Sequence, residues 1–331
     1  MEEYKERLRS VISDDIEHIL VAPLNWGLGH ATRCIPIIQF LIDQGKTVTM
    51  ATDGEALDLL REEFPTLDYL TLPTYNVKYK GANLWSIVIM NVPNVLKAII
   101  AEYFALKRIS KSMKIDLIIS DSRFGFRHSK LTNYFITHQL NLQSDNRILH
   151  WVMNYINQKL LNAFDLCIIP DYKDNRLSGK LSQSTRIKNK LYIGALSRFK
   201  KSILPILYDK AYILSGPEPG RTVLENRIIE KIEETQEKII IVRGTNLAPD
   251  ISNSNPNITI LELVGSKKLN DIILQSETVV SRSGYTSIMD YYTLGTKAIL
   301  IPTQGQPEQE YLARYLDGKY GMKRAIKAHK V

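Results

Sequence analysis

Short runs of consecutive apolar residues alternate with longer stretches of helical periodicity along most of the chain. Residues 18–24, His-Ile-Leu-Val-Ala-Pro-Leu, are short enough for a strand buried on both faces; a glycine-bearing turn and a helical pattern over 34–44, closed by Gly45, follow. The unit then repeats, with a strand over 47–51 ending in Thr52-Asp53-Gly54 and a helix over 55–63. Further apolar runs at 69–72, 117–120, 134–137 and 166–169 are separated by helix-compatible segments. A second series opens at Ala211, with strands predicted from residues 211, 239, 258, 278 and 298 and helices over 223–237 and near Leu269. Strands that alternate with helices imply parallel sheets.

The two series and the 331-residue length predict two doubly wound α/β domains, residues 1–205 and 206–331, joined through a linker at 198–210. No short-period repeat or low-complexity tract interrupts them. Cys34 and Cys167 lack the spacing of a zinc or redox site, and residues 1–16 have no apolar core of a signal peptide. These features are expected of a cytoplasmic protein. The most apolar long stretch, 84–100, is broken by Asn91, Pro93, Asn94 and Lys97 and is not expected to span a membrane.

Charge is unevenly placed. Residues 1–205 carry 27 Lys and Arg against 20 Asp and Glu, whereas residues 206–331 carry 16 against 15. An anionic neighbour of the first half is implied, whether nucleic acid, a membrane surface or a phosphorylated substrate.

Candidate chemistry gathers in loops after strands. Asn25-Trp26-Gly27-Leu28-Gly29-His30-Ala31-Thr32-Arg33 joins the first strand to the first helix, where Gly27 and Gly29 let backbone N–H groups converge on an anion. Thr32 stands where a dinucleotide fingerprint has glycine or alanine. His30 titrates near neutral pH and is a candidate general base, with a capping or core histidine as the alternative. Asp53 is either a ribose ligand or a turn residue. Asp121 and His138, at later strand ends, are further catalytic candidates.

In the second half, Ser281-Arg282-Ser283-Gly284-Tyr285-Thr286-Ser287-Ile288-Met289-Asp290 follows a strand and opens a helix. Ser283, Gly284 and Thr286 suit a diphosphate cradle, and Asp290 suits ribose hydroxyls. After the next strand, Thr303-Gln304-Gly305-Gln306-Pro307-Glu308-Gln309-Glu310 is rich in amides that suit sugar hydroxyls.

With these motifs the chain resembles glycosyltransferase family 28, which includes the transferase that adds N-acetylglucosamine to the lipid-linked peptidoglycan precursor. The resemblance spans nearly the whole chain and implies the GT-B architecture, two Rossmann-like domains facing across a cleft. It implies an acceptor side at Gly27, Gly29 and His30 and a UDP-sugar donor held by the second domain. Asp290 matches the family's ribose-binding Glu, and Gln309 and Glu310 match its sugar-binding glutamine pair. Ser215, Gly216 and Arg221 match its diphosphate loop; Arg243 and Val264 follow other strands in similar places. Gln139 stands where the peptidoglycan enzyme has Glu. The chain closes at Val331, with little room for the helices that members carry past this point.

The resemblance implies inverting transfer to an acceptor hydroxyl. The absence of an Asp-x-Asp triplet fits a reaction that needs no metal or other cofactor. A lipid-linked or cell-envelope acceptor and a peripheral contact with the inner face of the cytoplasmic membrane would suit Lys97, Lys107, Arg108, Lys111, Lys114, Arg123, Arg127 and Lys130, set against Glu102, Asp116 and Asp121. A core helix with a solvated basic face is the alternative. A UDP-sugar epimerase of the same fold and an NAD-dependent oxidoreductase are the rival activities. Nucleic-acid binding accounts for the charge but not for the paired loops.

Overall fold

A computed structural model describes residues 3–74, 84–144, 146–245 and 255–325. The chain divides into two compact units, Met1–Leu196 and Ser197–Val331. The division falls at the head of the expected linker, and residues 197–205 belong with the second unit. Ser197 Oγ donates to Asp290 Oδ1 at 2.5 Å, and Lys200 N donates to Asn270 Oδ1 at 2.9 Å.

The first unit opens with helix α1 (Glu3–Arg9), followed by β1 (His18–Pro23), α2 (Gly29–Asp43), β2 (Thr47–Thr52), α3 (Gly54–Glu63), β3 (Asp68–Thr71), α4 (Leu84–Ser112), β4 (Leu117–Asp121), β5 (Thr132–Ile136), α5 (Arg147–Leu161), β6 (Leu166–Ile169) and β7 (Lys190–Tyr192). Among the described residues the sheet runs β3-β2-β1-β4-β5-β6-β7, parallel throughout. Its central strands are buried on both faces, which is why they read as unbroken apolar runs.

Register puts Leu20, Ile118, Phe135 and Cys167 on one sheet face. That face packs against Leu106 of α4 and Leu161 of α5. Right-handed crossovers send α2 and α3 to the opposite face. The order reverses at β1, so the loops after β1 and β4 part there and leave a crevice at the carboxyl ends of the strands.

The second unit repeats the scheme with β8 (Tyr208–Ile213), α6 (Gly220–Ile232), β9 (Ile239–Val242), β10 (Ile258–Leu261), α7 (Ser266–Leu274), β11 (Ser276–Arg282), α8 (Tyr285–Leu294), β12 (Ala298–Ile301), α9 (Pro307–Tyr315) and β13 (Met322–Arg324). Its order is β10-β9-β8-β11-β12-β13, again parallel, with the reversal at β8. Tyr212, Ile239, Ile241 and Val280 meet Leu224, Ile228 and Ile232 of α6 in its core. Gly295, at φ +72°, ends α8 in the left-handed conformation that glycine adopts without cost.

Among the described residues no helix is long and apolar enough to cross a membrane. The 84–100 stretch forms the first part of α4, with the side chains of 84–92 outside the described ones; residues 326–331 also lie outside them.

Gly125, after β4, lies against the backbone of α4, and a Cβ there would overlap the Ile99 carbonyl. Gly125→Ala should therefore destabilise the protein by at least about 2 kcal/mol in urea denaturation. Gly265→Ala, where a Cβ meets open space, should stay within about 0.5 kcal/mol of wild type.

Candidate active site

In the first unit, the loops after β1 and β4 bring His30 and Asp121 together. His30 Nδ1 lies 2.7 Å from Asp121 Oδ1; the imidazole keeps 22% of its side-chain surface exposed, whereas the carboxylate keeps none. Arg33, one turn along α2, grips both carboxylate oxygens through Nε and Nη2. Its Nη2 also lies 2.9 Å from His30 Nδ1 and 3.3 Å from Ser122 Oγ, and Nη1 lies 3.3 Å from His138 Nδ1. Ser122 takes a positive φ of 63°, turning the chain sharply just after Asp121.

Burial and the Arg33 guanidinium lower the His30 pKa against the raising pull of Asp121. Burial also pushes the Asp121 carboxyl up, but Arg33 and His30 outweigh it and hold the group well below the usual carboxylate range. A neutral imidazole donating Nδ1–H to Asp121 turns Nε2 outward as an acceptor of a proton. Asp121 and His138 therefore differ from their expectation as direct bases. Asp121 is fully buried and committed to Arg33 and His30, and His138, 4% exposed, lies behind Arg33.

Asp53 is likewise committed. Its carboxylate pairs with fully buried Arg123 and lies 3.4 Å from Asn25 Nδ2. Arg123 also donates to Pro23 O and Glu102 Oε1, both at 2.9 Å, and Glu102 Oε2 accepts from Gly125 N at 3.2 Å. This lattice ties the ends of β1 and β2 to α4 and removes Asp53 as a ribose ligand. Exposed Gly27, at φ +80°, and Gly29 lead into α2 beside His30.

In the second unit, two expected phosphate ligands are already neutralised. Arg221 Nη1 meets Glu225 Oε2 at 2.7 Å and its Nη2 meets Glu218 Oε1 at 2.5 Å; Arg243 pairs with Glu225 from the other side. Both guanidinium groups are buried, so they brace α6 against β9 instead of facing an anion. Glu218 Oε2 also accepts Thr222 N at 3.2 Å, setting a carboxylate at the start of α6. Ser215 and Gly216 remain exposed ahead of it.

Arg282 stands differently. Its guanidinium rests at 3.3 Å on the carbonyls of Pro302 and Gly220 and meets no carboxylate among the described residues. Burial and nearby Arg227 lower its pKa. Gly284 caps α8 in an extended conformation without a side-chain cap bond, and Thr286 follows in the first turn of that helix.

Ser283 Oγ donates to Gln309 O at 2.9 Å, Gln309 Oε1 accepts from Thr303 N and Glu310 Oε1 from Gly305 N, each at 2.9 Å. Ser283, Gln309 and Glu310 thus shape the loop, Gln309 through its backbone carbonyl and its side-chain Oε1. Gln306 caps α9, and half-buried Val264 precedes α7.

The missed residues were legible in part. The i, i+4 spacing of Arg221 and Glu225 is itself an ion-pair signal. Arg33 gave none, because its partner lies 88 residues away.

Asp290 commits Oδ1 to Ser197, and burial lifts its carboxyl to about 7. A group raised on folding contributes stability that is complete below its unfolded pKa, near 4, and is lost as pH rises through 7. In urea denaturation the wild type should lose stability between pH 5 and pH 8, and Asp290→Asn should lose measurably less across that window.

Residues 221–328 match the sequence profile of the glycosyltransferase family 28 C-terminal domain. The chain is 25% identical over 319 residues to an uncharacterised glycosyltransferase of Methanosarcina mazei, covering 88% of this chain and 81% of that one. It is 21% identical over 278 residues to the UDP-N-acetylglucosamine–N-acetylmuramyl-(pentapeptide) pyrophosphoryl-undecaprenol N-acetylglucosamine transferase of a Sulfurihydrogenibium species, covering 83% and 74%. Among solved structures, the fold is similar to that of a spinosyn rhamnosyltransferase complexed with thymidine diphosphate. The TM-score is 0.66 at 14% identity, with 95% of this chain and 88% of that one covered.

Proposed function

We propose that this chain, a GT-B glycosyltransferase whose residues 221–328 form a family 28 C-terminal domain, moves a hexose or N-acetylhexosamine from a UDP-sugar to an acceptor hydroxyl with inversion. The observation that carries the reading is the 2.7 Å pairing of a partly exposed His30 with a fully buried Asp121 at the switch point of the first sheet.

In this reading Nε2 of His30 takes the acceptor hydroxyl proton. The acceptor oxygen bonds to the anomeric carbon as the bond from that carbon to the diphosphate oxygen breaks, and the nucleoside diphosphate leaves with the electron pair. The start of α8 and the Arg282 guanidinium stabilise its charge. Asp290 Oδ2 faces ribose, the Gln309 Nε2 amide hydrogens face the sugar, and the Val264 backbone faces the base. No metal takes part.

The UDP donor and the lipid-linked acceptor are supported by the name of the Sulfurihydrogenibium relative. A peripheral contact with the inner face of the cytoplasmic membrane is supported by two helices on the same sheet face. Leu96, Ile100, Tyr103 and Phe104 of α4 and Ile148, Trp151, Tyr155 and Ile156 of α5 are exposed. Exposed Lys97, Lys107, Arg108, Lys111, Arg147 and Lys159 flank them, and the acid among the described side chains of these two helices, Glu102, is buried against Arg123. Co-sedimentation with anionic vesicles should be salt-sensitive and should fall at least tenfold in Trp151→Glu; binding equal to that of neutral vesicles would remove the contact.

His30→Ala should lower transfer by about 10²–10⁴-fold while UDP affinity stays within about twofold of wild type. Arg282→Met should instead weaken UDP binding by about 10–100-fold, the value of a charge-assisted hydrogen bond. Calorimetry with UDP and product analysis with UDP-sugars check both, with and without chelator. Transfer within a few-fold of wild type in His30→Ala would sink the assignment.

A further inference from the structure

The Arg33 guanidinium is bonded at three of its corners, and each bond reaches a group of the candidate site. Nε and Nη2 hold the two oxygens of Asp121 and Nη1 lies 3.3 Å from His138 Nδ1, while Nη2 comes within 2.9 Å of His30 Nδ1, whose own N–H is given to Asp121. A planar fork that matches a carboxylate fixes its rotation as well as its position. With the carboxylate fixed, the edge it presents to His30 is fixed too, and so is the imidazole plane. Arg33 is 3% exposed and Asp121 is not exposed at all, so the bridge is sealed from water and its electrostatic influence is little screened.

We propose that Arg33 is the positioning residue of this cluster, a buried bridge that lets Asp121 orient His30 while cancelling the charge with which the carboxylate would otherwise draw a proton onto it. An unaccompanied aspartate beside a histidine orients and charges it together. Here the two effects are separated. The proposal rests on His30 as the base for its catalytic meaning, but the geometry it describes lies within the first unit alone.

Among the described residues, the charged and titratable groups acting on His30 are Arg33 from α2, Asp121 from the end of β4 and His138 from beyond β5; Cys34 from α2 meets Asp121, and Ser122 meets Arg33. Burial and the nearby Asp121 push the Cys34 thiol well up, so it stays neutral across the working range. The charge on Arg33 is therefore the cation set against Asp121. Removing it leaves a buried carboxylate whose nearest cation is the imidazolium, and His30 should hold a proton to higher pH.

Carbethoxylation of His30 by diethyl pyrocarbonate reads this directly, because only the unprotonated ring reacts. The rate is followed peptide by peptide by mass spectrometry between pH 5 and pH 9. Arg33→Gln should move the midpoint upward by about one pH unit. Arg33→Lys, which keeps the charge, should stay near wild type. Should Arg33→Gln not fold, Asp121→Asn is compared with the double variant Arg33→Gln/Asp121→Asn, in which both charges are gone; the double variant should titrate higher than the single one. An unchanged midpoint in Arg33→Gln, or identical midpoints in the second pair, overturns the proposal.

The failure of the catalytic reading is separately visible. If His30→Ala transfers sugar at the wild-type rate while the Arg33 midpoints shift as described, the bridge stands and the general base lies elsewhere. If His30→Ala is inactive and the midpoints do not move, Arg33 is a structural ion pair only.

Discussion

Placing a carboxylate where a parallel sheet reverses its order costs several kcal/mol unless cations and donors surround it. Asp121 occupies that position with no exposed surface, and much of the first unit's upper edge is arranged to meet its charge. Arg33 and His30 reach it from the first turns of α2, and the Leu24 N–H donates to its backbone carbonyl at 2.9 Å. Groups brought together to satisfy one buried charge end with an imidazole nitrogen turned outward.

A second buried cation, Arg123, lies two residues further on and follows the same rule toward a different end. It spends its donors on Asp53, Glu102 and Pro23, which closes the edge between β1, β2 and α4. In the second unit Glu225 does the reverse, one carboxylate shared by Arg221 and Arg243. The difference is one of partners: cations with buried carboxylate partners brace the scaffold, whereas Arg282 rests on the carbonyls of Pro302 and Gly220 and meets no carboxylate among the described residues.

The central strands were legible because burial on both faces leaves an unbroken apolar run, as in Leu117–Asp121. Edge strands were not. β7 is three half-buried residues, and β13 exposes Lys323 and Arg324, so neither carries a pattern that separates it from a loop. His30 could be singled out because Gly-Leu-Gly-His follows a strand. The partners of Asp53 and Arg243 could not be assigned in advance, since an isolated charge at a strand end looks the same whether it faces a ligand or a buried counter-ion, whereas Arg221 had Glu225 one turn away on its own helix. The compact units divide at the head of the expected linker, between Leu196 and Ser197. Lys200 and Lys201 read as a solvated linker, yet Ser197 and Lys200 N are hydrogen-bonded to α8 and α7.

The account turns on the protonation of one ring, and ¹⁵N chemical shifts of the His30 imidazole in the wild-type protein at pH 7 measure it. Proton on Nδ1 and a bare Nε2 is the state the Asp121 contact requires. A resonance pattern with Nε2 protonated, or with both nitrogens protonated, would contradict it.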